Sequence, residues 1–271
     1  MLKDKSVAKD SDYAEINRSL WNGKTEIHIK SDFYDVDGFK KGKSSLNYIE
    51  LEALGDVKGK SLLHLQCHFG LDSLSWSRLG AKVTGIDLSD KSIETAKQLN
   101  AELGLDAEFI CSNVYDIKNV LDKKFDIVFT SYGAIGWLPD LDKWAEIISH
   151  FLKPGGMFFM IEFHPFIWIF DEKYEKIQYS YFNLEAIIEE SSGTYTNRDA
   201  EFKHLSYGWN HPLSETIGSL LKHNLKLESF EEYPLSVYNC FEKTVKREHG
   251  YWEIEGFEDK IPMMFSIKAT K

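Results

Sequence analysis

The sequence predicts an α/β domain built on a mostly parallel sheet. Two observations lead there. Short runs that are apolar almost throughout alternate with stretches of helical spacing between residues 61 and 163. Strands of that kind, apolar at successive positions and not merely at alternate ones, are buried on both faces, as in a parallel sheet covered by helices. Length and composition agree: 271 residues, 43% of them hydrophobic, suffice for one large domain with a substantial core.

Residues 10–56 have mostly helical patterning, with breaks expected near Asn22-Gly23 and Asp37-Gly38. Ser61–Leu65 is the first strand. Leu71–Leu79 follows as a helix, with Leu71, Leu74 and Leu79 near helical spacing and Gly80 as its stop. Lys82–Ile86 is the second strand. Ser89–Gly104 is a helix capped by Ser89 or Asp90, with Ile93, Ala96, Leu99, Asn100 and Leu103 on one face. Glu108–Cys111 and Phe125–Thr130 are the third and fourth strands. Leu141–Leu152 is a helix closed by Lys153-Pro154-Gly155-Gly156, and Met157–Phe163 is the fifth strand. The rhythm then fails. The segment from Phe166 to Asn210 is rich in aromatic residues, and "KIQYSYFN" and "KHLSYGW" read as short antiparallel strands. It is too long for a simple connection and reads as an insertion that covers something. Pro212 opens another helix, with Ile217, Leu220 and Leu221 inward. Lys226–Tyr233 and Met263–Ala269 are strands, the last with no helix before it.

The formal charge of −11 repels phosphate backbones, so nucleic acid and anionic membrane are poor partners. The start of the chain has no apolar core for a signal peptide, and the most apolar stretch, 157–170, is interrupted by Glu162, His164 and Pro165. Cys67, Cys111 and Cys240 lie far apart and make no disulfide or metal framework, so a reducing, cytoplasmic location is expected, with no metal.

The chemistry concentrates in "SLLHLQCHFGLDSLSWSRLGAKVTGIDLS", residues 61–89. It is a strand, a tight turn, a helix and a second strand ending in Asp87. In a doubly wound sheet, ligands bind at the carboxyl ends of the strands where the winding reverses. Asp87 stands about twenty residues after the turn, the spacing at which an acid accepts hydrogen bonds from ribose hydroxyls. The plainer alternative is that Asp87 only caps the next helix.

Further motifs follow in order: "GIDLS", "FICSNVYD", "FDIVFTSYGAIGWLPD" and "LKPGGMFFM". Together with the first turn, "LLHLQCHFG", they make residues 59–163, and more loosely the rest of the chain, resemble class I S-adenosylmethionine-dependent methyltransferases. The resemblance implies a three-layer, Rossmann-like, seven-stranded sheet whose last strand, in "IPMMFSIKATK", is reversed. It implies S-adenosylmethionine as cofactor, with Gln66, Cys67, His68 and Gly70 lining its methionine end. Asp87 would take the ribose, with Leu88 beside the adenine. Asn113 and Val114 would hold the adenine edge, and Thr130, Ser131 and Tyr132 would lie under the methyl group.

The turn departs from the family pattern. His64 stands where the family often has Asp, and Gln66 and His68 where it has Gly. A positive φ at either would cost about 1–3 kcal/mol. Asn113 replaces the usual acid; its amide oxygen can accept from an adenine amino group, or can serve an Asx turn.

Methyl transfer from a sulfonium needs orientation and exclusion of water, and a base only where the acceptor carries a proton. His164, just past the fifth strand, is the first candidate, with Pro165 fixing its backbone. His211 and Tyr132 are the others assigned to catalysis, and His68 is a further possibility. Each has a structural alternative. The chain is expected to be a single domain: a helical cap (1–57), a cofactor core (58–163), an acceptor lid (164–210) and a completion of the sheet (211–271). The expected function is methyl transfer to a small molecule. The rivals are a nicotinamide-dependent oxidoreductase and a non-catalytic methyltransferase-like binding domain.

Overall fold

The computed structural model describes residues 10–271 apart from residue 184; the first nine residues of the expected helical cap lie outside the described residues. Helix α1 (Asp10–His28) is followed by the short helices α2 (Val36–Lys40) and α3 (Tyr48–Leu54). Then come β1 (Ser61–Leu65), α4 (Leu71–Arg78), β2 (Lys82–Asp87), α5 (Asp90–Glu102), β3 (Glu108–Cys111), β4 (Phe125–Ser131), α6 (Leu141–Phe151) and β5 (Leu152–Phe163). The insertion carries the hairpin β6 (Ile187–Ser192) and β7 (Lys203–Gly208). Helix α7 (Leu213–Lys222) and β8 (Lys226–Tyr233) resume the alternation, and a hairpin of β9 (Thr244–Lys246) and β10 (Trp252–Ile254) precedes β11 (Met264–Thr270).

The main sheet has seven strands in the order β3-β2-β1-β4-β5-β11-β8. β1 lies parallel between β2 and β4, with Leu62 opposite Val83 on one side and Ile127 on the other. β11 runs against both neighbours, pairing Ser266 with Ile161 and Glu231. The expected fold, with its reversed last strand, is the one observed.

Alternation along β1 sends successive side chains to opposite faces, and both faces are covered. Leu63 and Leu65 belong to one core cluster with Trp144 and Phe151 of α6 and Leu220 of α7. Leu62 belongs to a second cluster with Trp76 of α4 and Leu54 of α3. Helix α6 follows the same logic: Leu141, Trp144, Ala145, Ile148 and Phe151, at helical spacing, are all fully buried. Burying a side chain of that size stabilises by about 1.5–3 kcal/mol.

Several local expectations need correction. Helix α1 runs straight through Asn22-Gly23. The glycine there admits the Phe202 ring of the insertion, which a Cβ would strike. Asp37-Gly38 lies inside α2, whose start is fixed by Asp35 accepting from Gly38 N–H at 3.0 Å. "KIQYSYFN" forms no strand. Its Gln178 and Tyr179 N–H groups both donate to Ile169 O, wrapping the chain around a helical turn at Ile167–Ile169. The partner of β7 is β6 instead. Leu221 points outward, 52% exposed, while Thr216 and Ser219 are buried in its place. Among the described residues, no helix is long and apolar enough to cross a membrane, and no cluster of side chains could hold a metal ion.

Candidate active site

A cavity of about 1580 Å³ opens at the carboxyl edge of the sheet. Its floor is the turn after β1 and the ends of β2 and β4, and its roof is α1 with the insertion.

The turn holds three left-handed residues in five: Gln66 (φ 57°), His68 (φ 50°) and Gly70 (φ 83°). Hydrogen bonds fix this backbone. Cys67 N–H donates to Ile86 O at 2.8 Å and Gly70 N–H to Cys67 O at 2.9 Å. His68 N–H donates to Asp87 Oδ2 at 2.8 Å, and Gln66 Nε2 donates to Ala134 O at 2.7 Å. A Cβ at Gly70 would meet the Phe109 ring at 2.7 Å, so glycine is required there by both conformation and space. The costs expected at Gln66 and His68 are therefore real, and their side chains have found partners: His68 Nε2 lies 2.9 Å from His28 Nδ1, and its Nδ1 lies 3.0 Å from Ser92 Oγ.

Asp87 accepts from Ser89 N–H at 2.9 Å as well as from His68. Ser89, not Asp87, caps α5 through Ser92 N–H, so the capping alternative for Asp87 falls away. Burial raises the Asp87 carboxyl to about 6 despite these donors. With backbone donors at His68, Leu88 and Ser89 the carboxylate keeps one lone pair unused, and the residue lines the cavity with Leu88, Asn113 and Val114. Asn113 accepts Tyr115 N–H at 3.0 Å through its amide oxygen, so its side chain forms the Asx turn. Thr130 is fully buried and does not line the cavity, whereas Ser131 and Tyr132 do. Cys67 lines it too, with its thiol pushed up by burial.

The three catalytic candidates part company. Tyr132 (φ 30°) lines the cavity; its hydroxyl donates to Glu50 Oε2 at 2.7 Å and accepts from Asn47 Nδ2 at 3.2 Å. His211 also reaches the cavity wall, but both ring nitrogens face acceptors, Leu138 O at 2.7 Å and Glu215 Oε2 at 3.1 Å. It clamps α7 to the loop after β4 and offers no free lone pair. His164 is 4% exposed and is not part of the cavity wall. Its Nδ1 accepts from Phe166 N–H at 3.1 Å, its ring packs edge-on to Phe265, and Nε2 lies 3.0 Å from Glu232 Oε1 without hydrogen-bond geometry.

Three carboxyls, Glu50 and Glu162 buried and Asp72 half-buried, escaped the sequence reading. Glu162, at the end of β5, accepts N–H bonds from Gly133, Ala134, Ile135 and Phe163, and so shapes the loop after β4. Asp72 accepts from Ser45 Oγ at 2.7 Å and Ser131 Oγ at 3.0 Å. Glu50 closes a capping box with Asn47, a spacing visible in the sequence, and is fully buried. Burial raises all three, Glu50 to about 7.

Comparison with known proteins bears on this site. Residues 63–160 match the methyltransferase domain family. The chain is 31% identical over 131 residues to a ubiquinone biosynthesis O-methyltransferase of Xanthomonas euvesicatoria, covering 47% of this chain and 54% of that protein. The Klebsiella pneumoniae protein of the same name is 28% identical over 158 residues, 57% and 62% of the two chains. The chain thus spans about half the length of the first of these relatives. In fold it is similar to geranyl diphosphate C-methyltransferase from Streptomyces coelicolor (TM-score 0.59, 16% identity, 97% and 99% of the chains). It is also similar to an S-adenosylmethionine-dependent methyltransferase from Mesorhizobium loti (TM-score 0.55, 17% identity, 86% and 100%). The Mesorhizobium protein is named for S-adenosylmethionine and the Streptomyces one was solved with S-adenosyl-L-homocysteine, and the residues here fit S-adenosylmethionine as methyl donor: a glycine-tight turn, a carboxylate at the end of β2, and apolar walls at Leu88 and Val114. Residues 63–160 are thus a methyltransferase domain, and the sequence motifs and the reversed strand make the chain similar to the class I S-adenosylmethionine-dependent methyltransferases.

Proposed function

We propose that the chain transfers a methyl group from S-adenosylmethionine to a small-molecule acceptor, with residues 164–210 and α1 acting as the lid. The observation that carries this reading is the roofed cavity of about 1580 Å³, large enough for a nucleoside cofactor and a small acceptor together. An acidic chain with a recessed site suits a free small molecule better than a nucleic acid. The names of the sequence relatives favour an oxygen acceptor.

Bound in the crevice, S-adenosylmethionine supplies a methyl group already activated on a sulfonium. The protein's own part is to orient and to keep water out. Asp87 holds the turn through His68 N–H and lines the cavity with acceptor capacity to spare. Glu162 fixes the loop that carries Gly133 to Ile135. Tyr132, tethered by Glu50 and Asn47, forms a polar point on an aromatic wall that includes Phe163, Trp168 and Tyr238. We give His164 no role as a base in this reading, since its ring packs against Phe265 and does not line the cavity.

The test is transfer of a tritiated methyl group from S-adenosylmethionine to a panel of catechols and hydroxybenzoates. Label in an extracted aromatic product supports the reading. Label confined to unreacted cofactor across phenol, amine and carbon acceptors, with adenosyl binding absent, would overturn it.

A further inference from the structure

Lys24 lies on α1 in the roof of the cavity and is 7% exposed. Its ammonium stands 4.7 Å from the Trp21 ring centroid, 5.0 Å from Trp137 and 5.8 Å from Tyr195. These three rings come from α1, from the loop after β4 and from the insertion, so three separate elements converge on one amine. Among the described residues it makes no hydrogen bond and no ion pair. The other lysines of the cavity wall differ: Lys43 pairs with Asp35, and Lys173 and Lys176 are exposed.

A buried charge without a counter-ion is costly, and aromatic faces offset only part of that cost. Burial lowers the amine to about 8, so it still carries its proton near neutral pH. Near the floor of the cavity the charges have the opposite sign: Asp72, Asp87 and Glu162 all line it. A ligand with both cationic and anionic groups would find carboxylates for the first and a single buried cation for the second.

We infer that Lys24 is the anion site of this cavity, where it holds a ligand carboxylate, either the amino-acid carboxylate of the cofactor or a carboxylate on the acceptor. The inference rests on the cofactor reading above. The cage sets its specificity. Trp21 touches His68 of the cofactor turn, with ring centroids 5.1 Å apart, and Trp137 touches Trp21 at 5.3 Å, so the amine sits between the turn and the loop after β4. A carboxylate there would form a charge-assisted hydrogen bond inside an aromatic shell, where water competes poorly.

The experiment compares wild type, Lys24→Met and Lys24→Arg by calorimetry. Met fits an apolar cage and removes no protein partner, and thermal melting checks that each variant folds. The ligands are S-adenosylhomocysteine, which carries the amino-acid end, and methylthioadenosine, which lacks it. Benzoate is then titrated into protein saturated with S-adenosylhomocysteine. Lys24→Met is expected to weaken S-adenosylhomocysteine by roughly 10- to 100-fold, the range for a charged hydrogen bond, with methylthioadenosine unchanged and Lys24→Arg intermediate. That assigns the cofactor's carboxylate. Unchanged S-adenosylhomocysteine, with benzoate bound by wild type and lost in Lys24→Met, assigns the acceptor's carboxylate instead. Equal weakening of both adenosyl ligands, or no change in any, would overturn the inference. Wild type that binds neither adenosyl ligand would overturn the cofactor reading and this inference with it.

Discussion

Glu50→Gln isolates a single buried carboxyl whose energetics follow from its surroundings. Glu50 is fully buried in α3. Its Oε1 accepts Asn47 N–H at 2.6 Å and its Oε2 accepts the Tyr132 hydroxyl at 2.7 Å. Burial is the largest influence and raises the group; the hydrogen bonds pull back, the nearby Asp72 charge pushes up again, and the result is about 7 against an ordinary 4.5. The folded chain thus holds this proton more tightly than the unfolded chain. The stability it contributes is present in full below about pH 4.5 and is lost as pH rises through about 7. At roughly 1.4 kcal/mol for each tenfold change in proton affinity, the loss amounts to about 3 kcal/mol. Gln keeps an acceptor for Asn47 and places its amide against the Tyr132 oxygen, so it removes the titration with little change of shape. Urea denaturation of both proteins at pH 4.5, 6 and 8 measures the difference directly, and the other buried carboxyls cancel between them. Glu50→Gln should gain about 3 kcal/mol on wild type across that range. Two stability profiles that stay parallel from pH 4.5 to 8 would refute the reasoning.

Further expectations concern the site and its roof. Asp87→Ala removes the acceptor of His68 and Ser89 N–H, and should weaken S-adenosylhomocysteine by about 1.5–3 kcal/mol in calorimetry. Gly23→Ala drives a methyl into the Phe202 ring and should destabilise by about 1–3 kcal/mol in urea, with faster proteolytic cleavage in the insertion than elsewhere. His164→Gln should cost about 1 kcal/mol of stability through the Phe166 contact, while S-adenosylhomocysteine affinity and methyl transfer stay unchanged.

The sheet was legible because its strands are bounded by strong punctuation. Gly70, Gly80 and Ser89 mark turns and caps on either side of β1 and β2, and each apolar run holds a single periodicity. The strain at Gln66 and His68 could be foreseen because both replace glycine in a turn of fixed shape. The insertion was less legible. Its aromatic content does not distinguish a strand from a wrapped loop, and β6, with exposed Glu189 and Glu190, carries no apolar stripe to mark it. Gly23 looked like a helix break because the Phe202 ring that needs it is far away in sequence. Position after β5 placed His164 near the crevice, but the backbone bond from its N–H to Met263 O ties it to the β11 side, and its ring follows. Lys24 was invisible as a site residue. In sequence it is one polar residue on an amphipathic helix, and only the convergence of Trp137 and Tyr195 makes it a buried cation.

The central claim is that the crevice between Asp87 and the loop after β4 is an adenosyl-cofactor site. The most direct test is native mass spectrometry of the protein mixed with equimolar S-adenosylhomocysteine and NAD. The account predicts a single added mass, that of S-adenosylhomocysteine, at one per chain, diminished in Asp87→Ala. A spectrum in which NAD is retained and S-adenosylhomocysteine is not would contradict it.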